Sequence, residues 1–330
     1  MDTLPNAATD PPGDLGAGRA QRLQIALQEL ERRFGPWIVY RLKDARPVWR
    51  AQSISSSTLA VDHLTGVGGF PRGRIVELIG PASSGKSVLS YHLLANAQRQ
   101  GGFAAFIDAA QRASFEQMAR CGVNLTDLFL VVPESSYEAL EIAALLAESG
   151  GLDALVIGPL AELIGTSSFA AQATATKLGR LNAALRESPT VVAFLTDTVR
   201  HPSAASVGRA LRHFATLRIS STPLRPIVHP SGDVLGLRIR LETIKNKLAP
   251  PRRQTELDLR WDRGIHQEAE LVDLGLVRGV LDVQPLGICF GSTLLGRGRA
   301  RAIATLESDP TLAQALHTQI RQNLALNLHP

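Results

Sequence analysis

The chain has 330 residues, of which 45% are hydrophobic and 20% charged, as is typical of a soluble globular protein. No apolar stretch approaches the roughly 18 residues of a membrane span, and the N-terminus lacks a basic-then-apolar signal pattern. We therefore expect a cytoplasmic protein with no membrane partner. The net charge of +5 is compatible with an anionic partner such as nucleic acid but does not require one.

The N-terminal segment, residues 1–18, is rich in proline and glycine, which predicts a disordered lead-in. A helix is predicted from Arg19 to Phe34, followed by a short strand at 38–42. The large apolar residues of this helix form one stripe: Leu23, Leu27, Leu30 and Phe34. The residues alone leave open whether this stripe packs on its own domain or on a neighbouring subunit.

The middle of the chain alternates short apolar runs with amphipathic segments. This alternation predicts an α/β fold with a mostly parallel sheet covered by helices on both faces. The predicted strands are 75–79, 103–108, 128–132, 155–157 and 190–195, and the predicted helices are 88–98, 114–121, 137–148 and 170–185. Ligands of such sheets bind at the carboxyl ends of the strands.

From about residue 212 the pattern changes to consecutive strands, which predicts antiparallel additions to the edge of the sheet. These strands are 213–220, 236–245 and 256–261. A small α/β tail follows, with helices at 268–276, 300–306 and 312–326 and short strands near Leu281 and Ile288. The predicted parts are thus the lead-in at 1–18, an N-terminal helix and strand at 19–45, a nucleotide-binding core at 46–266 and a C-terminal domain at 267–330.

One motif indicates chemistry directly, because it fits G-x-x-x-x-G-K-[ST] between a predicted strand and a predicted helix. Its residues are Gly80, Pro81, Ala82, Ser83, Ser84, Gly85, Lys86 and Ser87. The glycines permit a tight turn whose N–H groups point at a polyphosphate. Lys86 would reach the β- and γ-phosphates, and the Ser87 hydroxyl would be a ligand of Mg²⁺.

With these residues laid out, the chain resembles the bacterial RecA recombinase family over nearly its whole length. The blocks that carry the resemblance are 53–55 with 68–74, 80–87, 106–109 and 245–254. The resemblance implies a RecA-like P-loop core that binds ATP and Mg²⁺. It also implies protomers stacked head to tail on single-stranded DNA with ATP between subunits, in DNA repair, recombination and the SOS response to DNA damage.

Two further roles come from this resemblance. Lys245 and Lys247 are retained, and in the family they reach across the subunit boundary to the neighbour's ATP. A solvated strand end is the alternative interpretation of this Lys-Asn-Lys string. The resemblance also favours docking of the helix at 19–34 on a neighbouring subunit.

Two positions that carry catalytic carboxylates in the family are not acidic here. Ala110 replaces the glutamate that activates water, and Gly158 replaces the acidic residue that orients Mg²⁺ through water. Because a general base contributes roughly 10²- to 10⁴-fold, we expect weak or absent hydrolysis, and Asp108 is poorly placed to substitute. The positions of the family's adenine site fall on Ser114 and Gln117, which puts adenine recognition in doubt.

The two segments that bind DNA in the family also differ, at 164–168 and 196–206, and the family's switch glutamine falls near Asp197. The candidate DNA contacts that remain are Arg200, Arg209, Arg212, Lys177 and Arg180. These cations are sufficient for weak, salt-sensitive phosphate binding. A solvated basic face is the alternative interpretation.

Three functions follow from these observations. The first is a RecA-family repair protein that binds ATP and single-stranded DNA as a filament with weakened hydrolysis. The second is a non-catalytic accessory, similar to the ImuA-type proteins of translesion synthesis, that docks on a recombinase filament or a polymerase. The third is an unrelated P-loop phosphotransferase, which leaves the string at 245–254 unexplained.

Overall fold

The fold is described by a computed structural model. The residues that it describes are 14–35, 39, 52–159, 168–198, 204–229 and 231–324. Apart from Val39, the short strand expected at 38–42 lies outside this set. The chain divides into two compact units, residues 1–50 and 51–330.

The N-terminal unit contains one long helix, α1, at Asp14–Phe34. It begins five residues before the predicted start, because the glycines at 16 and 18 weaken a helix without ending it. Leu23 and Phe34 of the apolar stripe are 61% and 65% exposed. Within its own unit, therefore, much of the stripe faces solvent.

The second unit contains the remaining helices and strands. Its strands are β1 Ser53–Ile54, β2 Phe70–Pro71, β3 Arg74–Gly80, β4 Ala104–Ile107, β5 Leu128–Val131, β6 Ala154–Ile157, β7 Val191–Asp197, β8 Leu217–Val228, β9 Val234–Asn246, β10 Gln254–Arg260, β11 Gly264–Ile265, β12 Asp282–Gln284, β13 Gly287–Phe290 and β14 Thr293–Gly296. Its helices are α2 Leu59–Thr65, α3 Lys86–Arg99, α4 Phe115–Arg120, α5 Ser136–Glu148, α6 Ser168–Ala184, α7 Ala204–Phe214, α8 Gln267–Val277, α9 Arg299–Ser308 and α10 Pro310–Asn323.

A nine-stranded sheet organises this unit, in the order β11-β10-β9-β8-β3-β7-β6-β4-β5. The six strands from β8 to β5 are parallel, and β9, β10 and β11 are antiparallel additions. β4 and β6 are buried along their whole length, as expected for strands covered on both faces. The predicted α/β class with a mostly parallel sheet is confirmed.

Successive residues of a strand point to opposite sides of the sheet, and here both sides carry apolar residues. Helices therefore cover both faces. Val76 and Leu78 of β3 belong to one core cluster, together with Leu93 of α3. Ile75 of the same strand belongs to the other cluster, together with Leu178 of α6. This alternation places the end of β3 between two packed helical layers.

The region after β7 corrects the sequence prediction. Residues 213 and 214 belong to the helix α7 and not to a strand, and β8 begins at Leu217. β8 pairs in parallel with β3, so the antiparallel addition begins one strand later than predicted. The reason is that α7 carries the chain back along the sheet, as a crossover helix between parallel strands does.

The last helices form a third cluster with β13 and β14. Leu271, Leu306 and Leu316 pack there, and Leu59 of α2 joins them. β14 was not predicted. Because Leu59 belongs to this cluster, the C-terminal helices pack directly on the core.

No helix in the described part of the chain combines the length and apolarity of a membrane span.

A buried carboxyl group links α8 to α2. Glu270 Oε1 accepts a hydrogen bond of 2.6 Å from the backbone N–H of Ala60. Burial, with a smaller contribution from the nearby carboxyl of Asp62, raises the pKa of Glu270 to about 8. Burial also raises the pKa of Asp62 to about 6. Between about pH 4.5 and 8 the folded chain therefore holds protons that the unfolded chain releases.

We expect Glu270→Gln to increase the free energy of unfolding, relative to the unaltered chain, more at pH 8 than at pH 5. In the unaltered chain the free energy of unfolding falls as the pH rises from 4.5 to 8, by up to about 4 kcal/mol from this group. Glutamine keeps the acceptor for Ala60 but binds no proton. Urea unfolding at pH 5 and pH 8 measures the difference, with the exposed Glu187→Gln as control. An equal pH dependence in both variants would contradict this assignment.

Candidate nucleotide-binding site

The P-loop lies between β3 and α3, at the carboxyl edge of the sheet. Gly80 ends β3, and Gly85 caps α3 in the left-handed region with φ +86°. A Cβ on Gly80 would lie 2.3 Å from the carbonyl oxygen of Ser221, and one on Gly85 would lie 2.2 Å from a methyl group of Leu259. Both positions therefore require glycine, as a loop that wraps closely around phosphate does.

Lys86 lies folded onto this loop. Its Nζ donates to the carbonyl oxygens of Gly80, at 2.9 Å, and Pro81, at 2.6 Å. The same ammonium forms an ion pair of 2.9 Å with Asp197 Oδ1. Asp197 is the last residue of β7 and lies opposite Gly80 in the strand register. The carboxylate is thus held at the mouth of the loop.

A cavity of about 270 Å³ lies beside the P-loop. It is lined by Ser83, Ser84, Gly85, Lys86, Ser87, Val88, Gln117, Leu237, Leu259 and Trp261. Trp261, directly after β10, is 42% exposed, and Gln117 comes from α4. Trp261 was missed from the sequence, although an aromatic side chain that ends a strand next to the binding edge was a usable signal. The volume is below the roughly 300 Å³ of a small ligand pocket, so this cavity fits part of a nucleotide.

The residues present fit a bound polyphosphate and leave Mg²⁺ with few protein ligands. The left-handed Gly85 and the N-terminus of α3 aim backbone N–H groups at the loop. Ser87 lies in the first turn of α3, the position from which the hydroxyl of this motif would bind a cation beside the phosphates. Gly158 lies at the same edge without a carboxylate, so this position offers a cation no side-chain ligand.

The two replaced catalytic positions follow neighbouring strands. Ala110 lies in the turn after β4 and Gly158 directly follows β6, which pairs with β4 through Ile107 and Ile157. Both turns lie at the carboxyl edge of the sheet, as Gly80 does. A Cβ on Gly158 would lie 3.3 Å from the carbonyl oxygen of Ile107, so a small side chain fits there after a minor shift.

Asp108, the remaining acidic residue after β4, stabilises its own turn. Its Oδ1 accepts from the N–H of Arg112 at 3.0 Å, and its Oδ2 accepts from the N–H of Ala113 at 2.9 Å. Asp108 as a whole is 7% exposed. Both oxygens are thus directed at the backbone, away from a water that attacks a phosphate.

Lys245 and Lys247 lie far from the P-loop of their own chain. Lys245 is level with Arg218 and thus with Glu77, three residues or about 10 Å before Gly80 along β3. The N–H of Lys247 bonds to Thr216, which lies further toward the amino end of β3. Within one protomer these lysines cannot reach the Gly80 loop.

The two lysines differ in what they contact. Lys245 Nζ donates to the carbonyl oxygens of Arg212, at 2.5 Å, and His213, at 3.2 Å, at the end of α7. Burial lowers the pKa of Lys245, and the nearby Lys247 lowers it further. Lys247 is exposed. Lys245 would have to give up its hydrogen bonds to α7 to contact a second molecule, whereas the exposed Lys247 would not.

The predicted DNA contacts divide into free and paired cations. Arg209 and Arg212 are exposed at a spacing of three on α7, whereas Arg200 lies outside the described residues. Lys177 pairs with Glu141 and lies 4.4 Å above the ring of Tyr137.

Arg180 is also engaged by α5. It pairs with Glu148 at 2.7 Å and with Glu141. The charges of Lys177 and Arg180 are therefore balanced by carboxylates within the chain, and their candidacy as DNA contacts is weakened. The basic face predicted from the sequence reduces, among the described residues, to α7.

The sheet, the Gly80 loop and the crossover helices define a P-loop nucleotide-binding protein with a RecA-like core. The family model of the RecA N-terminal domain matches residues 21–266. The Protein RecA of Brevibacillus brevis is 34% identical over 94% of this chain and 92% of its own, and that of Streptomyces coelicolor is 34% identical over 96% and 88%. The Protein RecA of Rhodopseudomonas palustris is 34% identical over 93% of each chain. The chain belongs to the RecA family.

Proposed function

We propose that this chain acts in the cytoplasm in DNA repair and recombination under DNA damage, as part of the SOS response. It binds ATP·Mg²⁺ between subunits, binds single-stranded DNA, and hydrolyses ATP weakly or not at all. The observation that carries this proposal is an intact phosphate-binding loop beside two strand ends that have lost their carboxylates, at Ala110 and Gly158. Membership of the RecA family supports the setting. The proposal includes the predicted parts of the chain: the lead-in at 1–18, the subunit-packing segment at 19–45, the nucleotide-binding core at 46–266 and the C-terminal domain at 267–330.

The loop amides and Lys86 hold the phosphates, and the Ser87 hydroxyl holds the cation. Trp261 and Gln117 border the cavity where a base would lie, so the exposed indole ring offers a stacking surface. A bound cation supplies charge neutralisation for the phosphates. Without a carboxylate at 110 or 158, no side chain at those positions takes a proton from water, so bound nucleotide persists and stabilises the assembly by mass action.

The position of Lys247 supports contact with the nucleotide of a second protomer. It is exposed at the edge of the sheet opposite the Gly80 loop, so a head-to-tail neighbour brings that loop toward it. An exposed ammonium adds a charge-assisted hydrogen bond to a phosphate. Lys245, which contacts the end of α7, positions the strand end that carries Lys247.

Two exposed apolar surfaces support assembly with another copy of the chain or with a recombinase filament. β5 is the edge strand of the large sheet, and Phe129 and Leu130 on it are 55% and 44% exposed. Leu23 and Phe34 of α1 are exposed as well. The edge strand of a sheet and an apolar helical stripe that is exposed within its own unit are surfaces that a neighbouring subunit buries.

The assembly is tested with Lys247→Ala. A lost charge-assisted hydrogen bond of about 1.5–3 kcal/mol weakens the interface by roughly 10- to 100-fold, whereas an isolated protomer keeps its nucleotide affinity. Sedimentation velocity with ATP·Mg²⁺ measures the assembly, and Lys177→Ala is the charge-matched control. If Lys247→Ala assembled at the same concentration as the unaltered protein, the bridging role would be wrong.

DNA binding is tested by titrating single-stranded DNA at increasing salt. Arg209 and Arg212 contribute only a few phosphate contacts per protomer. A steep decrease of DNA affinity with salt is therefore expected only if many protomers bind the DNA together as a filament. The pairing of Lys177 and Arg180 within the chain favours the second candidate, a non-catalytic accessory of a recombinase filament or translesion polymerase. DNA binding that requires an added recombinase would select this accessory function.

A further inference from the structure

We propose that Asp197 competes with the terminal phosphate of a nucleoside triphosphate for Lys86, so that this P-loop prefers a diphosphate. The inference rests on the nucleotide binding proposed above and names the preference of that same site. It begins from the contacts of one ammonium group at the end of β3.

The three donors of the ammonium are taken. Gly80 and Pro81 accept two of the N–H bonds through their carbonyl oxygens, at 2.9 and 2.6 Å. Asp197 Oδ1 lies 2.9 Å from the same nitrogen. The Ser84 hydroxyl lies further away, at 3.4 Å. An incoming phosphate oxygen must therefore replace one of these acceptors, and Asp197 is the only anion among them.

The backbone holds Asp197 in place. Asp197 pairs with Gly80 in the register of β3 and β7, and the N–H of Thr198 donates to the Gly80 carbonyl oxygen at 3.1 Å. The residue therefore cannot move away from the loop without opening the end of the strand pair. Its carboxylate is therefore within reach of any group that binds Lys86.

Solvent screens this ion pair weakly. The side chain of Lys86 is 7% exposed and that of Asp197 is 26% exposed. Charges that are partly removed from water interact more strongly than surface pairs do. A terminal phosphate that approaches Lys86 thus meets a carboxylate at close range, and the two like charges repel each other.

A diphosphate avoids most of this conflict. The loop amides cradle the α- and β-phosphates, while the lysine reaches toward the β- and γ-phosphates. With the terminal phosphate absent, the amides from Gly80 to Gly85 hold the remaining phosphates and Asp197 keeps its bond to Lys86. The side chain at 197 thereby sets the preference between the two nucleotides.

The test compares the affinities of labelled ADP and ATP, each with magnesium, for the full chain and for Asp197→Asn. Asparagine keeps the size and an acceptor but removes the charge. We expect the unaltered chain to bind ADP at least about tenfold more tightly than ATP. We expect Asp197→Asn to raise the affinity for ATP at least about tenfold and that for ADP less than about threefold.

Two controls accompany the test. Asp282→Asn removes the same charge from an exposed position on β12 and is expected to leave both affinities unchanged. Thermal unfolding without nucleotide checks that Asp197→Asn folds, and Asp197→Gln repeats the measurement with a second neutral amide.

The outcomes separate this inference from the proposed function. Equal affinities for ADP and ATP, unchanged in both variants at 197, would overturn the inference and leave nucleotide-bridged assembly intact. Uptake of neither nucleotide by any of the proteins would overturn the proposed nucleotide binding, and the inference with it.

Discussion

Replacing Lys86 by alanine is expected to lower the affinity for ATP roughly 100-fold or more and to abolish nucleotide-dependent assembly. The lysine is the only basic side chain on the Gly80 loop, and each charge-assisted hydrogen bond contributes about 1.5–3 kcal/mol. Its loss also leaves the carboxylate of Asp197 without its cation, next to the phosphates. Equilibrium titration with labelled ATP measures the affinity, and sedimentation velocity measures the assembly.

Two variants sharpen this prediction. Lys177→Ala removes the same charge from α6 and is expected to bind ATP as the unaltered chain does. Lys86→Ala combined with Asp197→Asn is expected to recover part of the affinity, because the unpaired carboxylate is gone. If Lys86→Ala bound ATP as tightly as the unaltered chain, the Gly80 loop would not be the phosphate site.

The elements that could be predicted from the sequence are those whose environment is local. β4 and β6 are short apolar runs because they are buried on both faces, and their pattern is readable without knowledge of their partners. The Gly80 loop was recognisable because its two glycines meet steric demands that no other residue satisfies.

The errors concern partners distant in the sequence. The residues of β8 have the apolar character of a strand in either direction, and only the crossover through α7 makes the strand parallel to β3. α7 was taken as loop and strand because residues 196–206 were assigned to a DNA-binding segment of the family, although α7 itself has an amphipathic pattern. Direction and pairing depend on chain path, which local periodicity does not encode.

The same limit applied to the site. Lys86 and Asp197 meet because β3 and β7 are neighbours in the sheet, which their separate motifs did not indicate. Trp261 reaches the cavity from β10, at the far end of the core sequence. The sequence identified which residues touch phosphate in the family, and the fold determined which other side chains stand beside them.

Restoring both lost carboxylates is expected to raise ATP turnover by roughly 100-fold or more, because a general base contributes about 10²- to 10⁴-fold. Ala110→Glu places a carboxylate in the turn after β4, and Gly158→Asp places one after the paired β6. A Cβ at 158 has space after a shift of a few tenths of an ångström at the Ile107 carbonyl. Single-turnover hydrolysis measures the chemical step without product release.

Neither single change is expected to raise turnover by more than about tenfold, because one group must activate the water while the other orients the cation. Such residues act as a unit, and their effects do not add. The double variant carrying Lys86→Ala is the control for contaminating hydrolysis, since its phosphate site is lost. Rapid ATP turnover by the unaltered chain would contradict the proposal that it binds ATP without hydrolysing it. If the double variant bound ATP but remained inactive, the loss of the two carboxylates would not be the cause of weak hydrolysis. The negative charge of Asp197 beside the terminal phosphate would then be the next group to test.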